Sequence, residues 1–262
     1  MRYDDTATVR AKHRRRLPYT LKRVSEATAV GVSTQSGSPL VVAIDGPSGS
    51  GKSSTSRGVA QRLGLAYLDT GAMYRAATWL AVERGVDLTD SEAVAALLAT
   101  ADIDIRLDPA DPTISIEETD VTEAIRAPEV SAAVSAIATN LDVRADLIAR
   151  QRQLIAGASG GIVVEGRDIT TVVAPDAAVR VLLVADPAAR VARRHAELGE
   201  HIDSADVTDQ VIRRDQDDSA VAQFHSAAPG VTVVDSTELT LEQVIDAICA
   251  LVPVGAGGDQ LP

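Results

Sequence analysis

Cysteine, histidine and aromatic side chains are scarce in this 262-residue chain, and each shortage closes off a class of function. The single cysteine, Cys249, cannot form an internal disulfide, and its place in ValIleAspAlaIleCysAlaLeuVal reads as a small filler on the buried side of a helix. The four histidines, His13, His195, His201 and His225, show neither HxH nor HExxH spacing and stand beside no cysteine cluster. A structural metal held by protein ligands is therefore not expected. Phe, Tyr and Trp make up 2% of residues, which leaves Tyr74 as almost the only stacking platform inside a motif. No stretch approaches the roughly 18 apolar residues of a membrane span, and the first 37 residues lack the apolar centre of a secretory signal. The expected compartment is the cytoplasm, with no membrane partner.

Charge excludes a further class. The formal net charge is −12, but residues 1–37 hold eight of the 25 Lys and Arg and three of the 37 Asp and Glu, a net of +5 that leaves −17 on the remainder. A body that acidic repels polyanions on average, so an anionic ligand must be held by a local cluster of donors, and no stable nucleic-acid complex is expected. The content is nevertheless that of a folded chain: 45% hydrophobic and 24% charged residues supply a core.

Along the chain, residues 1–37, with ArgAlaLysHisArgArgArg and a closing Ser/Gly-rich stretch, read as a flexible basic arm, and residues 253–262 as an unstructured tail. Between them, residues 38–252 alternate strand-like runs at 40–44, 66–68, 161–164, 179–184 and 231–234 with helical patterns at about 53–63, 71–84, 187–198, 206–219 and 240–252. That alternation predicts an α/β fold with a parallel sheet between helical layers. Thr240 and Gln243 have capping-box spacing at the start of the last helix. The alternation breaks over about 100–155, where IleAspIleArgLeu and ThrIleSerIleGlu are period-2 runs joined by AspProAlaAspPro; this reads as an inserted subdomain opening on a hairpin and continuing as two helices.

The chemistry enters with Gly46, Pro47, Ser48, Gly49, Ser50, Gly51, Lys52 and Ser53, which fit GxxxxGK[ST] between an apolar strand and a helix that continues through Ser54. Glycines let backbone N–H groups wrap phosphate oxygens at a helix N-terminus; Lys52 would reach the β and γ phosphates, and the Ser53 hydroxyl would hold Mg²⁺. ATP and Mg²⁺ are the cofactors this predicts, with Lys52 a catalytic candidate. Of the three lysines, Lys12, Lys22 and Lys52, only Lys52 lies in the body, so the downstream lysine of a guanine-reading AsnLysXaaAsp motif is missing and a GTPase is excluded. The acceptor must be read elsewhere. A kinase that phosphorylates a phosphate brings two anions together and needs arginines from several segments; Arg75, Arg144, Arg167 and Arg214 are the candidates. Asp69-Thr70-Gly71-Ala72-Met73-Tyr74-Arg75 and Glu165-Gly166-Arg167-Asp168 each end a strand, at the sheet edge where such folds bind ligands. Read from residues alone, the acceptor could be a monophosphate or a small-molecule hydroxyl such as that of shikimate, and the basic arm leaves open a nucleotide-dependent regulator that binds nucleic acid.

In order, AlaIleAspGlyProSerGlySerGlyLysSerSer, LeuAspThrGlyAlaMetTyrArg, GluGlyArgAspIleThrThrValValAlaProAspAla and ArgArgAspGlnAspAsp resemble the bacterial cytidylate kinase family from about Leu40 to Val252. The resemblance implies a P-loop NTPase three-layer fold with a monophosphate-binding insert and a helical lid over about 187–219, and transfer of the ATP γ-phosphoryl group to CMP or dCMP in pyrimidine nucleotide metabolism by a monomer. It implies that Thr70, Tyr74 and Arg75 contact the acceptor nucleotide, that Ser135 and Arg144 meet the cytosine edge, that Asp168 accepts from the cytosine N4 amine, and that Arg167 and Arg214 serve the phosphate under attack, with Asp218 on the ribose. One departure stands out: Val221 stands near the place where the family carries a further lid arginine, so either a lid arginine such as Arg190, Arg193 or Arg194 substitutes or turnover is slower than in relatives.

Overall fold

The computed structural model describes residues 39–198 and 226–253, without the side chains of 194, 197 and 198. The basic arm, the helix expected over 206–219 and nearly all of the tail lie outside these residues. In chain order the described elements are β1 (Val41–Asp45), α1 (Lys52–Leu63), β2 (Ala66–Asp69), α2 (Thr70–Glu83), α3 (Ser91–Thr100), β3 (Ile103–Ile105), β4 (Ile114–Ile116), β5 (Thr119–Asp120), α4 (Pro128–Ala138), α5 (Leu141–Gly157), β6 (Ile162–Gly166), β7 (Val179–Val184), α6 (Pro187–Leu198), β8 (Thr232–Asp235) and α7 (Leu241–Cys249).

Five strands form one parallel sheet in the order β2-β6-β1-β7-β8, with β1 in the centre paired to β6 and β7. Parallel strands covered on both faces read as near-continuous apolar runs, which is how ValValAlaIle and IleValVal came to be legible. The pleat then sorts the residues. Ala43, Leu68, Ile162 and Val164 face one core, closed by Met73, Ala77 and Leu80 of α2 and Val143 and Leu147 of α5. Val42, Ile44, Tyr67, Val163, Val181 and Leu183 face the other, closed by Val59 and Ala60 of α1 and Val244, Ile245 and Ile248 of α7. Two cores about one sheet make the three layers that the alternation predicts. The capping box at α7 is present: Gln243 N–H donates to Thr240 Oγ1 at 3.3 Å and Thr240 N–H to Gln243 Oε1 at 2.9 Å.

Outside this sheet, β3-β4-β5 pair antiparallel, with Ile103 opposite Ile116, and α4 and α5 follow. The hairpin connection is fastened to the sheet layer: Arg57 Nε and Gln61 Nε2 of α1 each donate to the Pro109 carbonyl at 3.2 Å, and Tyr67 N–H donates to Leu107 O at 2.9 Å. Beside β5, a third strand added to the expected hairpin, two elements differ from the sequence expectation. Helix α3 has only Val94 and Leu98 buried in SerGluAlaValAlaAlaLeuLeuAlaThr, and its many alanines carry too little contrast to show a period; Asp90 caps it by accepting from Ala93 N–H at 3.0 Å. The second is a wide turn at Ile169–Val173, after β6, in which Val172 and Val173 N–H both reach the Asp168 carbonyl, at 2.8 and 3.1 Å.

Candidate active site

The phosphate loop lies between β1 and α1 at the carboxyl edge of the sheet. Gly51 precedes α1 with φ 85°, no side chain caps the helix and no acid stands in its first turn, so its leading N–H groups point to an open anion site. Gly49 is obligatory twice over: its φ is +73°, and a Cβ there would meet the Arg190 carbonyl of α6 at 2.6 Å. From this loop Lys52 and Ser53 reach the wall of a cleft of about 700 Å³, solvent included. Ser54 is exposed on the first turn of α1.

The opposite wall is built by α2, α4, α5 and the end of β6. Thr70, Tyr74 and Arg75 of α2, Arg144 of α5, and Arg167 and Asp168 all line it, so six acceptor-side residues expected from the sequence share one cleft with the phosphate loop. Arg144 and Asp168 form an ion pair between Nη2 and Oδ2, with side chains 13% and 10% exposed. Arg144 Nη1 also donates to the Ala138 carbonyl at 3.3 Å, which ties α5 to the end of α4. Arg167 Nη1 donates to the Gly46 carbonyl at 2.9 Å, carrying its guanidinium over the start of the phosphate loop. Burial above all pushes the pKa of the Tyr74 phenol up to about 12, a rise that the nearby Arg144 guanidinium opposes.

Other expected residues sit differently. Ser135 is half-buried on α4 but does not line the cleft; Val134 and Ala138 of the same helix do. Thr70 lines the cleft, but its hydroxyl donates to the Glu165 carbonyl at 2.7 Å, so it fastens α2 to β6. Arg214, Asp218 and Val221 fall outside the described residues, as does the side chain of Arg194. Arg193 is engaged in structure, donating to Ser236 Oγ at 3.0 Å and to the Ser236 carbonyl at 2.6 Å, while Arg190 Nη1 donates to the Ser48 carbonyl at 3.1 Å.

Two carboxylates at the base of the cleft were not singled out from the sequence. Glu165 is 1% exposed and accepts from the Tyr67 hydroxyl at 2.6 Å. Burial first, then the Asp69 carboxylate, push the Glu165 carboxyl up, opposed by the Lys52 ammonium and by hydrogen bonds from Tyr67 and Ser53. Asp69 caps α2, accepting from Ala72 N–H at 3.0 Å. The signal for Asp69 was its place as an N-cap before a helical run; for Glu165 it was a charge ending an otherwise apolar central strand, which is costly unless employed. Among the described residues no group of three or more His, Cys, Asp or Glu converges as a metal cage.

The arrangement is one in which a phosphate-binding helix end, one lysine, three arginines and a set of buried carboxylates surround a single cleft. A family model described as "Cytidylate kinase" matches residues 42–253. The "Cytidylate kinase" of Cutibacterium acnes is 60% identical over 218 residues, spanning 83% of this chain and 97% of that protein. Those of Streptomyces griseus and Rhodococcus jostii are each 48% identical, over 216 and 228 residues, spanning 82% and 85% of this chain and 93% and 99% of theirs.

Proposed function

We propose, from the premise that this chain belongs to the cytidylate kinase family and is an ATP-dependent phosphotransferase acting on CMP and dCMP, that the cleft between the phosphate loop and α4–α5 is where the transfer occurs. The reaction is in-line: a P–O bond forms between an α-phosphate oxygen of the acceptor and the γ-phosphorus as the bond to the β-phosphate oxygen breaks, and ADP and CDP or dCDP leave. No covalent intermediate on the protein is needed. The observation that carries this reading is the meeting, in one cleft, of Lys52 and Ser53 with Arg75, Arg144, Arg167 and Asp168.

Charge neutralisation and alignment supply the rate. The amides of residues 49–54 cradle the donor phosphates and Lys52 follows the charge onto the transferring group. Arg75 holds the acceptor phosphate. Arg167, anchored on Gly46, bridges toward the phosphoryl in flight. Arg144 and Asp168 read the base: the Asp168 carboxylate accepts from the cytosine N4 amine and meets an unwelcome acceptor in uracil O4. The Tyr74 phenol stays protonated at neutral pH and packs beside the base. Hard oxygen donors near the phosphates suit Mg²⁺: the Ser53 hydroxyl, with Glu165 and Asp69 behind it, would hold the ion, which when bound neutralises phosphate charge.

The elements of residues 103–157 act as the acceptor-binding subdomain, and residues 1–37 take no part in catalysis. The enzyme works as a monomer in the cytoplasm, where both nucleotides are available; no helix among the described residues is long and apolar enough to cross a membrane. A coupled ADP-release assay with Mg-ATP and CMP, dCMP, UMP, AMP, GMP and shikimate, with and without residues 1–37, tests the reading. Turnover confined to CMP and dCMP and indifferent to the deletion is expected. Preference for another acceptor overturns the base-reading roles. Salt-sensitive RNA binding lost with the arm, at low turnover, would favour a regulator.

A further inference from the structure

Asp45 takes part in none of the steps above, yet its carboxylate is 2% exposed and fully engaged. It ends β1, directly before the phosphate loop. Its Oδ1 accepts from Ile169 N–H at 2.8 Å, and its Oδ2 accepts from Thr170 N–H at 2.8 Å and from the Thr170 hydroxyl at 2.6 Å. Those three donors open the wide turn that starts immediately after Asp168, and Asp168 supplies the carbonyl on which that turn closes. On the other flank of the same dipeptide, Arg167 is fixed on the carbonyl of Gly46. Two consecutive residues at the mouth of the phosphate loop therefore grip the Arg167–Asp168 pair from both sides, across a chain separation of more than 120 residues.

A turn alone does not require this. Serine, threonine or asparagine caps a turn without burying a charge, and burying a carboxylate is costly unless hydrogen bonds offset it. Here the Asp168 carboxylate also repels Asp45 from nearby, so electrostatics disfavours the placement further. What a carboxylate adds is two oxygens in a rigid plane. One holds residue 169 and the other residue 170, which fixes the rotation of the peptide between them and thereby the direction in which Asp168 leaves the chain.

We propose that Asp45 and Thr170 are positioning residues that hold the acceptor-reading Arg167–Asp168 pair in register with the phosphate loop. Neither touches a nucleotide. Their function is to fix the distance and angle between the group that reads the acceptor base and the loop that holds the donor phosphates, so that both nucleotides meet in line. The inference rests on Asp168 being the base reader, and the test below separates the two.

The first variant is Thr170→Val, which keeps the shape and deletes the hydroxyl; Thr170→Ser restores it, and Asp45→Asn keeps the volume while replacing one acceptor oxygen by a donor. Steady-state kinetics of the full chain would vary CMP at saturating ATP, UMP at saturating ATP, and ATP at saturating CMP. A hydrogen bond to a charged group is worth about tenfold to hundredfold. Thr170→Val should raise KM for CMP and lower the CMP-to-UMP ratio of kcat/KM by about tenfold each, with KM for ATP within about twofold of the parent. Asp45→Asn should do the same more strongly, and Thr170→Ser should be close to the parent. Asp168→Asn is the reference. If it shifts the ratio while Thr170→Val and folded Asp45→Asn leave both the ratio and KM for CMP unchanged, the positioning proposal is overturned, whatever happens to thermal stability. Equal losses for ATP and CMP also overturn it, since a merely structural role weakens both. If Asp168→Asn itself leaves the ratio unchanged, the base-reading assignment has failed, and KM for CMP in Thr170→Val against Thr170→Ser then decides the positioning role alone.

Discussion

Replacing Asp168 by Asn is the most informative single perturbation, because its effect can be worked out from one ion pair. The Asp168 carboxylate is about a tenth exposed and paired with Arg144, so it is charged and held in place before any nucleotide arrives. A cytosine N4 amine donating to it forms a charged hydrogen bond worth about 1.5–3 kcal/mol. Uracil in the same place leaves that carboxylate facing the O4 acceptor, with a further penalty of about 1–3 kcal/mol for a buried group without its partner. Discrimination of CMP over UMP from this residue alone is thus about 2.5–6 kcal/mol, or about 10²–10⁴ in kcat/KM. Asparagine can turn its carbonyl to cytosine or its amide to uracil, so most of that difference vanishes. We expect the ratio to fall by about 10²-fold or more, mainly through gained UMP turnover and weakened CMP binding. Asparagine still accepts from Arg144 but leaves that arginine without its counter-charge, at about 2 kcal/mol, which in a chain this size lowers Tm by about 4–8 °C. The assay is steady-state phosphoryl transfer to CMP and UMP at least 15 °C below the variant's Tm, a margin of about twice that expected shift. A folded Asp168→Asn enzyme whose CMP-to-UMP ratio stays within about threefold of the parent refutes the reasoning, since no charged hydrogen bond is worth so little.

Other expectations follow from the same cleft. Lys52→Ala should cut kcat by about 10³-fold in a protein that still folds, because the ammonium serves phosphate charge during transfer, while the loss of its attraction to the buried Glu165 lowers the thermal transition modestly; near-normal turnover would sink the mechanism. Glu165→Gln should make the protein more stable than the parent at pH 8, with the advantage shrinking as pH falls toward 5. The sign follows from burial: the folded carboxyl titrates above its unfolded value of 4.5, so stability is full below that value and is lost as pH rises through the folded pKa, a loss that the neutral amide escapes. Thermal melts at the two pH values check this, and a variant less stable than the parent by the same amount at both would contradict it. Arg193→Ala removes the guanidinium that holds Ser236 beside the phosphate loop and should raise KM for ATP several-fold with little change in KM for CMP, as measured by varying each nucleotide in turn.

What the sequence made legible follows from which physical signals are local. The parallel strands could be read because burial on both faces leaves no polar residue to interrupt ValValAlaIle or IleValVal, and the phosphate loop because its glycines answer a backbone requirement at fixed spacing. The acceptor arginines could be proposed only jointly, yet Arg75, Arg144 and Arg167 do line the cleft with Lys52. Helix α3 could not be read, since alanine neither marks a face nor breaks one. Ser135 shows the limit of helical phase: on α4 the cleft takes Val134 and Ala138, four residues apart on one face, and position 135 is turned about 100° away from 134.

The harder case is a carboxylate whose purpose is another residue's aim. Asp45 and Glu165 both end central strands, and in sequence each is merely a charge after an apolar run. Their partners arrive from far along the chain: Thr170 for Asp45, and Tyr67, Lys52 and Ser53 for Glu165. Burying a charge at a strand end costs several kcal/mol, so a chain that does so at two neighbouring strands of one sheet has concentrated its electrostatic cost where ligands bind in this architecture. The cost itself is therefore a signal. An acid ending a buried parallel strand has to be offset by donors that only the fold supplies, and those donors cluster at the carboxyl edge because that is where the loops return. Read this way, Asp45, Asp69 and Glu165, on β1, β2 and β6, outline the edge of the cleft as clearly as the glycines outline its phosphate loop.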